Sequence, residues 1–273
     1  MSFPQSTVTS MDGTKIGYYS IGQGPGIMVL HGALRTSNDF TKFAQALSDS
    51  FTVHVIDRRG RGMSGPQGAD YSISKECEDV EAVQEATGAT YVFGHSYGGL
   101  VALEFARENK SINKIALYEP GVIAEPTNWD WMSDYEMALG REDFRGAFAS
   151  FVRGMGHTPL TRFPLWYAKL LLRLFIRGDH WRQIEKLIPA NLIEHREVKR
   201  LEGTCHKYQA IVAEVLLMFG EKSPKSVHHM SDLLEETISK AQVLKFPKLN
   251  HFGPENDNAP IEVAQRIKNF FLS

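Results

Sequence analysis

Short apolar runs alternate with amphipathic stretches along most of the chain. Six runs rich in Val, Ile and Leu have the length of buried strands and occupy residues 26–30, 52–56, 91–94, 114–118, 214–219 and 241–246. Two further segments, 6–9 and 15–20, flank the turn Asp12-Gly13 and predict an opening hairpin. Because apolar strands separated by helices are typical of parallel sheets, the pattern predicts an α/β fold with a mostly parallel sheet of about eight strands.

Helical periodicity fills the stretches between several predicted strands. Ile73, Cys77, Val80 and Val83 recur at the spacing of one helix face, and residues 261–271 carry a similar apolar stripe. Both stretches follow residues that favour helix starts. We therefore expect helices that flank the sheet and pack on it.

The region 122–207 breaks this alternation, because its periodicity is mostly helical. It also holds all four tryptophans of the chain, Trp129, Trp131, Trp166 and Trp181. An insertion between two parallel strands lies at the carboxyl edge of the sheet, where open α/β folds bind ligands. We therefore predict a core domain of residues 1–121 and 208–273, with residues 122–207 inserted as a helical cap over the site.

Charge and cysteine content exclude several classes of function. The 273 residues include 30 basic and 32 acidic side chains, so the net charge of −2 favours neither a nucleic acid nor a membrane as partner. The two cysteines are too few for a disulfide framework, and the N-terminal residues lack the features of a secretory signal. We expect a cytoplasmic protein that acts on a small molecule; the sequence leaves its oligomeric state open.

The motif Gly94-His95-Ser96-Tyr97-Gly98 carries the strongest indication of chemistry. It follows an apolar strand directly and precedes a helical pattern, which is the context of a nucleophile elbow. A serine on such a turn needs small neighbours two residues away, so that strand and helix can approach each other. Ser96 is therefore the predicted nucleophile, and the backbone amide of Tyr97 is a predicted oxyanion donor.

A second glycine turn follows an earlier strand, at Leu30-His31-Gly32-Ala33. Such a turn can supply a second oxyanion donor, and we assign the backbone amide of Ala33 to this role. The alternative is that His31-Gly32 only reverses the chain, with His31 held by local hydrogen bonds.

These motifs resemble those of the α/β-hydrolase fold family, and the resemblance covers nearly the whole chain. The segment 57–64 is similar to the family's DxRGxGxS loop, and Asn250-His251-Phe252-Gly253-Pro254 resembles its histidine loop. The family order of nucleophile, acid and histidine implies that His251 is the general base.

The acid departs from the commonest family pattern. Many members carry Gly-x-x-Asp after the strand that here ends at residue 219, but Ser223 occupies the place of that aspartate. Some relatives place the acid one strand earlier, which implies Glu119. The remaining alternatives are Glu221, Asp232, Asp257 and a serine–histidine dyad without an acid.

The resemblance implies a cofactor-independent serine hydrolase of a small ester, lactone or related acyl substrate. The sequence has no glycine-rich phosphate loop, HExxH pair or Cys/His cluster, so we expect neither cofactor nor metal. Two alternatives use the same residues: a ligand-binding sensor with slow turnover, and an enzyme of carbon–carbon hydrolysis, peroxyacid formation or a lyase step. Fold alone does not separate them.

Overall fold

The eight strands in the described part of the chain form one sheet, as the sequence pattern predicts. The computed structural model describes residues 3–156 and 158–273. The strands are β1 (Gln5–Thr9), β2 (Lys15–Ile21), β3 (Gly26–Leu30), β4 (Thr52–Ile56), β5 (Tyr91–His95), β6 (Lys114–Tyr118), β7 (Glu214–Gly220) and β8 (Ala241–Phe246). Their order is β1-β2-β4-β3-β5-β6-β7-β8. Only the pairs β1–β2 and β2–β4 are antiparallel among the described strands, so the predicted fold class is confirmed.

Helices cover both faces of this sheet. They are α1 (Thr41–Leu47), α2 (Ile73–Thr87), α3 (Tyr97–Glu108), α4 (Asp130–Gly140), α5 (Phe144–Met155), α6 (Leu165–Phe175), α7 (Gly178–Arg200), α8 (Lys225–Thr237) and α9 (Pro260–Leu272). Successive side chains of a strand point to opposite faces. In β3, Met28 and Leu30 therefore join a core that includes α2, α3 and α8, whereas Ile27 and Val29 join one built with α1 and α9.

Four helices, α4 to α7, lie between β6 and β7; we call residues 122–207 the helical insertion. Its buried side chains, such as Tyr135 and Ile188, are continuous with the core on the α2–α3 face of the sheet. Tyr135 Oη donates a 2.8 Å hydrogen bond to the Ile188 carbonyl and so joins α4 to α7. No described helix is both long and apolar enough to cross a bilayer.

Buried ion pairs tie the helical insertion to the sheet. Arg58 and Arg61, in the loop after β4, both donate to Oε1 of Glu194 on α7. Arg58 also forms a two-bonded pair with Glu76 of α2, with N···O distances of 2.7 and 2.8 Å. All four side chains are buried. Two cations and two carboxylates balance, which is the condition under which buried charges are tolerated.

Candidate active site

Ser96 stands on the sharp turn between β5 and α3. Its backbone has φ 54° and ψ −122°, a conformation that residues other than glycine rarely adopt. The neighbouring backbones are too close for larger residues. A Cβ added to Gly98 would lie 2.3 Å from the Leu30 carbonyl oxygen, and one added to Gly94 would lie 2.7 Å from that of Gly98. The glycines therefore allow the turn that presents the Ser96 hydroxyl at the carboxyl edge of the sheet.

His251 connects this hydroxyl to a carboxylate. It lies in the loop between β8 and α9, with Nε2 3.1 Å from Ser96 Oγ and Nδ1 2.8 Å from Glu119 Oε2. An ionised carboxylate only accepts hydrogen bonds, so Nδ1 carries the proton and Nε2 is left to accept from the serine. This is the arrangement in which a serine can lose its proton to the imidazole.

Glu119 leaves the end of β6 with a positive φ of 45° and is buried. Its Oε1 accepts hydrogen bonds from the Gly220 amide at 2.9 Å and from Ser223 Oγ at 2.6 Å. Burial raises the pKa of this carboxyl, but the contact with His251 and the donors Ser223 and Gly220 outweigh it and hold the pKa below its usual value. Glu119 is thus placed to keep its charge beside the imidazole.

The other candidate acids do not share the buried position of Glu119 beside His251. Glu221, Asp232 and Asp257 are all exposed at the surface. A side chain in contact with bulk water is a poor electrostatic partner for a shielded imidazole. The carboxylate that His251 contacts is that of Glu119.

Two backbone amides flank Ser96 without a hydrogen-bond acceptor among the described residues: those of Ala33 and Tyr97. Tyr97 is the first residue of α3, where the helix dipole adds positive potential. Ala33 follows Gly32, whose added Cβ would lie 3.0 Å from Ser96 Cβ, so the two turns are in contact. Both amides thus remain candidates for the oxyanion donors that the sequence predicts.

His31 holds the turn that presents Ala33. Its Nδ1 donates to the Gly32 carbonyl at 2.9 Å, and its Nε2 accepts from the Arg58 amide at 3.3 Å. Burial, followed by the charges of Arg58 and Arg61, holds the pKa of His31 well below its usual value. A neutral ring with both nitrogens engaged has a structural role in this turn.

Tyr97 also connects this site to the buried ion pairs. The Arg58 guanidinium lies over its ring, 4.6 Å from the centroid, and its hydroxyl is 2.8 Å from that of Tyr71. Tyr71 in turn donates to Glu76 at 2.7 Å. Tyr97, whose amide lies beside Ser96, is therefore held by Arg58, which also binds Glu194 of the helical insertion.

Two cavities share Ser96 and His251 as lining residues. The first, of about 320 Å³, extends along the start of the helical insertion toward Trp129 and Trp131. The second, of about 270 Å³, is mainly apolar. Its walls include residues of the loop between β3 and α1 and of helices α5, α6 and α7. We call it the apolar cavity. A substrate carbonyl at Ser96 would therefore have space on two sides for different substituents.

His195 of α7 lines both cavities, and the sequence alone gave no indication of its position. Its Nδ1 donates to the Asn191 carbonyl at 2.8 Å, while Nε2 has no hydrogen-bond partner among the described residues. Burial lowers the pKa of this imidazole. His195 is therefore a buried imidazole at the wall of both cavities, with Nδ1 engaged by the backbone.

Within residues 3–156 and 158–273, no group of three or more His, Cys, Asp or Glu side chains is placed to hold a metal ion. The groups around Ser96 are a hydroxyl, an imidazole and a carboxylate joined by hydrogen bonds. Their order along the chain is serine, glutamate, histidine, with the carboxylate leaving the strand next to that of the serine.

Comparison with known proteins places this chain in a family. The sequence model of the alpha/beta hydrolase fold family matches residues 25–257. A relative from Shewanella oneidensis, named cis-3-alkyl-4-alkyloxetan-2-one decarboxylase, is 24% identical, with 96% of this chain and 92% of the relative covered.

Solved structures agree with this assignment. An alpha/beta hydrolase from Sphaerobacter thermophilus superposes with a TM-score of 0.83 and 26% identity over 97% of this chain and all of the other. An esterase from Exiguobacterium antarcticum has the same fold, with a TM-score of 0.74 and 18% identity over 98% and 99% of the two chains. The chain therefore belongs to the α/β hydrolase fold family.

Proposed function

We propose that this protein is a serine hydrolase that cleaves a small ester, lactone or related acyl substrate through an acyl-enzyme on Ser96. One observation carries the proposal: the unbroken hydrogen-bond chain from Ser96 through His251 to buried Glu119. A nucleophile, a base in hydrogen-bond contact with it and a group that orients the base are the elements of nucleophilic catalysis.

In this mechanism His251 Nε2 accepts the proton of Ser96 as Oγ attacks the acyl carbon. The charge on the carbonyl oxygen is stabilised by the amides of Ala33 and Tyr97. His251 then returns the proton to the departing alkoxide, which leaves an ester on Ser96. Water, deprotonated by His251, releases the acid and restores the serine. Glu119 holds the imidazole tautomer and stabilises the imidazolium in both halves.

The helical insertion contributes walls to the space around Ser96, which supports a substrate enclosed between the core domain and the insertion. In the proposed arrangement, residues 1–121 and 208–273 supply the reacting groups, and the cap, residues 122–207, closes the site. The walls of the apolar cavity include Phe148, Phe151 and Leu172 from the insertion. Such walls suit an apolar acyl or alcohol group rather than a charged one, because an unpaired charge is costly to bury there.

Fluorophosphonate labelling followed by intact-mass measurement tests the proposal. We expect rapid addition of one label to the wild-type protein and none to Ser96→Ala under identical conditions. Labelling of both proteins, or of neither while both are folded, would contradict an activated Ser96. Substrate panels of short esters and lactones then define the acyl group.

A second candidate reaction comes from the Shewanella oneidensis relative. An oxetan-2-one, which its name gives as substrate, is a four-membered cyclic ester. The same serine could open such a ring or assist loss of carbon dioxide from it. Product analysis on one oxetan-2-one decides between the two reactions. Hydrolysis yields a hydroxy acid, and decarboxylation yields an alkene and carbon dioxide.

A further inference from the structure

Helix α6 exposes an apolar face that the proposed reaction does not use. Trp166, Leu170 and Leu174 follow each other at four-residue spacing and therefore share one face. They are 69%, 46% and 48% exposed, and Phe163 and Phe175 at the two ends of the helix are 41% and 82% exposed. We call these five residues the α6 outer face. Several large apolar side chains exposed on one helix are the kind of surface that marks an interaction site.

The segment around the α6 outer face is strongly basic. Residues 144–178 contain six Lys or Arg and no Asp or Glu, although the whole chain has a net charge of −2. Arg162, Arg173 and Arg177 are exposed. None of the three forms an ion pair with a carboxylate in the described parts of the chain. The cations beside the apolar face are therefore available to an anionic partner.

These charges favour one occupant over another. A second copy of the chain, packed symmetrically on this face, would bring two sets of unpaired arginines together, which is unfavourable. An anionic bilayer instead offers apolar depth for the aromatic and leucine side chains and negative charge for the arginines. Interfacial helices combine such a cationic and apolar surface, and Trp prefers the bilayer–water boundary.

The opposite face of the same helix reaches the proposed active site. Leu172 on α6 and Ile176, the residue that follows the helix, line the apolar cavity together with Leu160 and Ser96. One helix thus separates the apolar cavity from the surface that carries the α6 outer face. A bilayer bound there would lie next to the wall of this cavity.

We propose that the α6 outer face binds the surface of an anionic lipid bilayer. This inference rests on the proposed ester hydrolysis. It implies that the substrates that enter the apolar cavity are membrane-borne apolar acyl esters. The net charge of −2 does not predict such a membrane partner, because it averages over this local cationic segment.

Vesicle co-sedimentation tests the binding step on its own. The full chain carries Ser96→Ala, so binding is measured without turnover. Vesicles of phosphatidylcholine mixed with phosphatidylglycerol are compared with phosphatidylcholine alone, at low and high salt. We expect binding to the mixed vesicles, weakened by high salt because screening acts on exposed charges.

Matched variants identify the surface. Trp166→Gln with Leu170→Gln should weaken vesicle binding by at least about tenfold, because each removes apolar area that enters the bilayer. Arg173→Gln with Arg177→Gln should weaken binding to the mixed vesicles and reduce its salt dependence, since two of the three exposed arginines are lost. Ile261→Gln is the control, since Ile261 is an equally exposed apolar residue on α9.

Three outcomes would overturn the inference. The first is equal vesicle binding by the control and by the α6 variants, and the second is no binding at all. The third is a dimer in light scattering without lipid that the Trp166 and Leu170 substitutions dissociate, which would make a second copy the occupant. Because fluorophosphonate labelling is a separate measurement, loss of vesicle binding and failure of the hydrolase proposal are distinguishable.

Discussion

Ser223 Oγ donates a 2.6 Å hydrogen bond to Glu119 Oε1. The residue that stands where many family members carry an acid is thus a donor to the carboxylate that contacts His251. The geometry is available because β6 and β7 are neighbours, so the loops that follow them meet at one edge of the sheet. Ser223, in place of the commoner aspartate, and Glu119, at the end of the preceding strand, therefore belong to the same hydrogen-bonded group.

Glu119→Gln should lower kcat by about 10³–10⁴-fold, because an amide leaves the imidazolium unstabilised and can fix the wrong tautomer. Steady-state hydrolysis of an ester substrate measures the change, and circular dichroism checks the fold. Asp257→Asn, at one of the exposed alternative acids, is the control and should retain activity. Equal losses in the two variants would contradict the role of Glu119.

Moving the carboxylate back to the commoner position should restore part of the loss. Glu119→Gln combined with Ser223→Asp places an acid on the loop after β7, at the position whose hydroxyl contacts residue 119. We expect this double variant to exceed Glu119→Gln in kcat by about tenfold or more, since a carboxylate again faces the base. Ser223→Asp alone should be slower than wild type, because two buried carboxylates would be adjacent. A double variant no better than Glu119→Gln would show that a carboxylate introduced on this loop does not reach His251.

Stability should depend on pH through the Ser223–Glu119 bond. Glu119 has a pKa below its ordinary 4.5, so its ionisation stabilises the fold fully above that pH, and the gain is lost as pH falls through the folded pKa. Ser223→Ala removes a donor to the charged form. It should cost about 1.5–3 kcal/mol of unfolding free energy at pH 7 and less below pH 4.5.

Urea unfolding of the wild type and Ser223→Ala across that pH range makes the measurement. Ser231→Ala serves as the control, because the hydroxyl of Ser231 donates to the Val227 carbonyl and to no carboxylate among the described residues, so its loss should cost the same at every pH. A Ser223→Ala penalty that does not change with pH would argue against a charged Glu119.

The strands, the serine turn and the histidine loop could be predicted because local pattern determines them. Apolar runs define buried strands, and only small residues tolerate the backbone approach at Gly94 and Gly98. Glu119 was one of several candidate acids, since its contact with His251 spans 132 positions of sequence. His195 and Glu194 could not be found in this way, because their positions depend on how α7 packs over the sheet.

Glu194→Gln should destabilise the protein strongly. Arg58 and Arg61 would lose the carboxylate that balances them in a buried site, which costs about 3–5 kcal/mol when one partner is removed. Chemical denaturation gives the value. Asp179→Asn is the matched control on the same helix, because its pair with Arg182 is exposed and should contribute less than about 1 kcal/mol. Similar small effects would mean that the buried pairs do not hold the insertion.

His195→Phe should raise KM more than it lowers kcat. The ring lines both cavities and contacts neither Ser96 nor Glu119 through a hydrogen bond among the described residues, so an Nε2 that accepts from bound substrate would affect binding first. Substrates with a hydroxyl or amide donor should lose about 1–3 kcal/mol of binding, and purely apolar ones little. Fluorophosphonate labelling of Ser96 should persist; its loss would instead assign His195 a part in the chemistry.

The location of Glu119 has a consequence for exchanging the helical insertion between family members. Its carboxylate comes from a residue just before the insertion, while two of its donors, Gly220 and Ser223, come from the end of the following strand and the loop beyond it. The first junction of a grafted segment therefore lies beside Glu119, whereas the second, near residue 207, is separated from Gly220 by the length of β7. Chimaeras that join within residues 125–207 leave Glu119 and both of these donors in place, so substrate range can be varied there independently of the charge that supports the base.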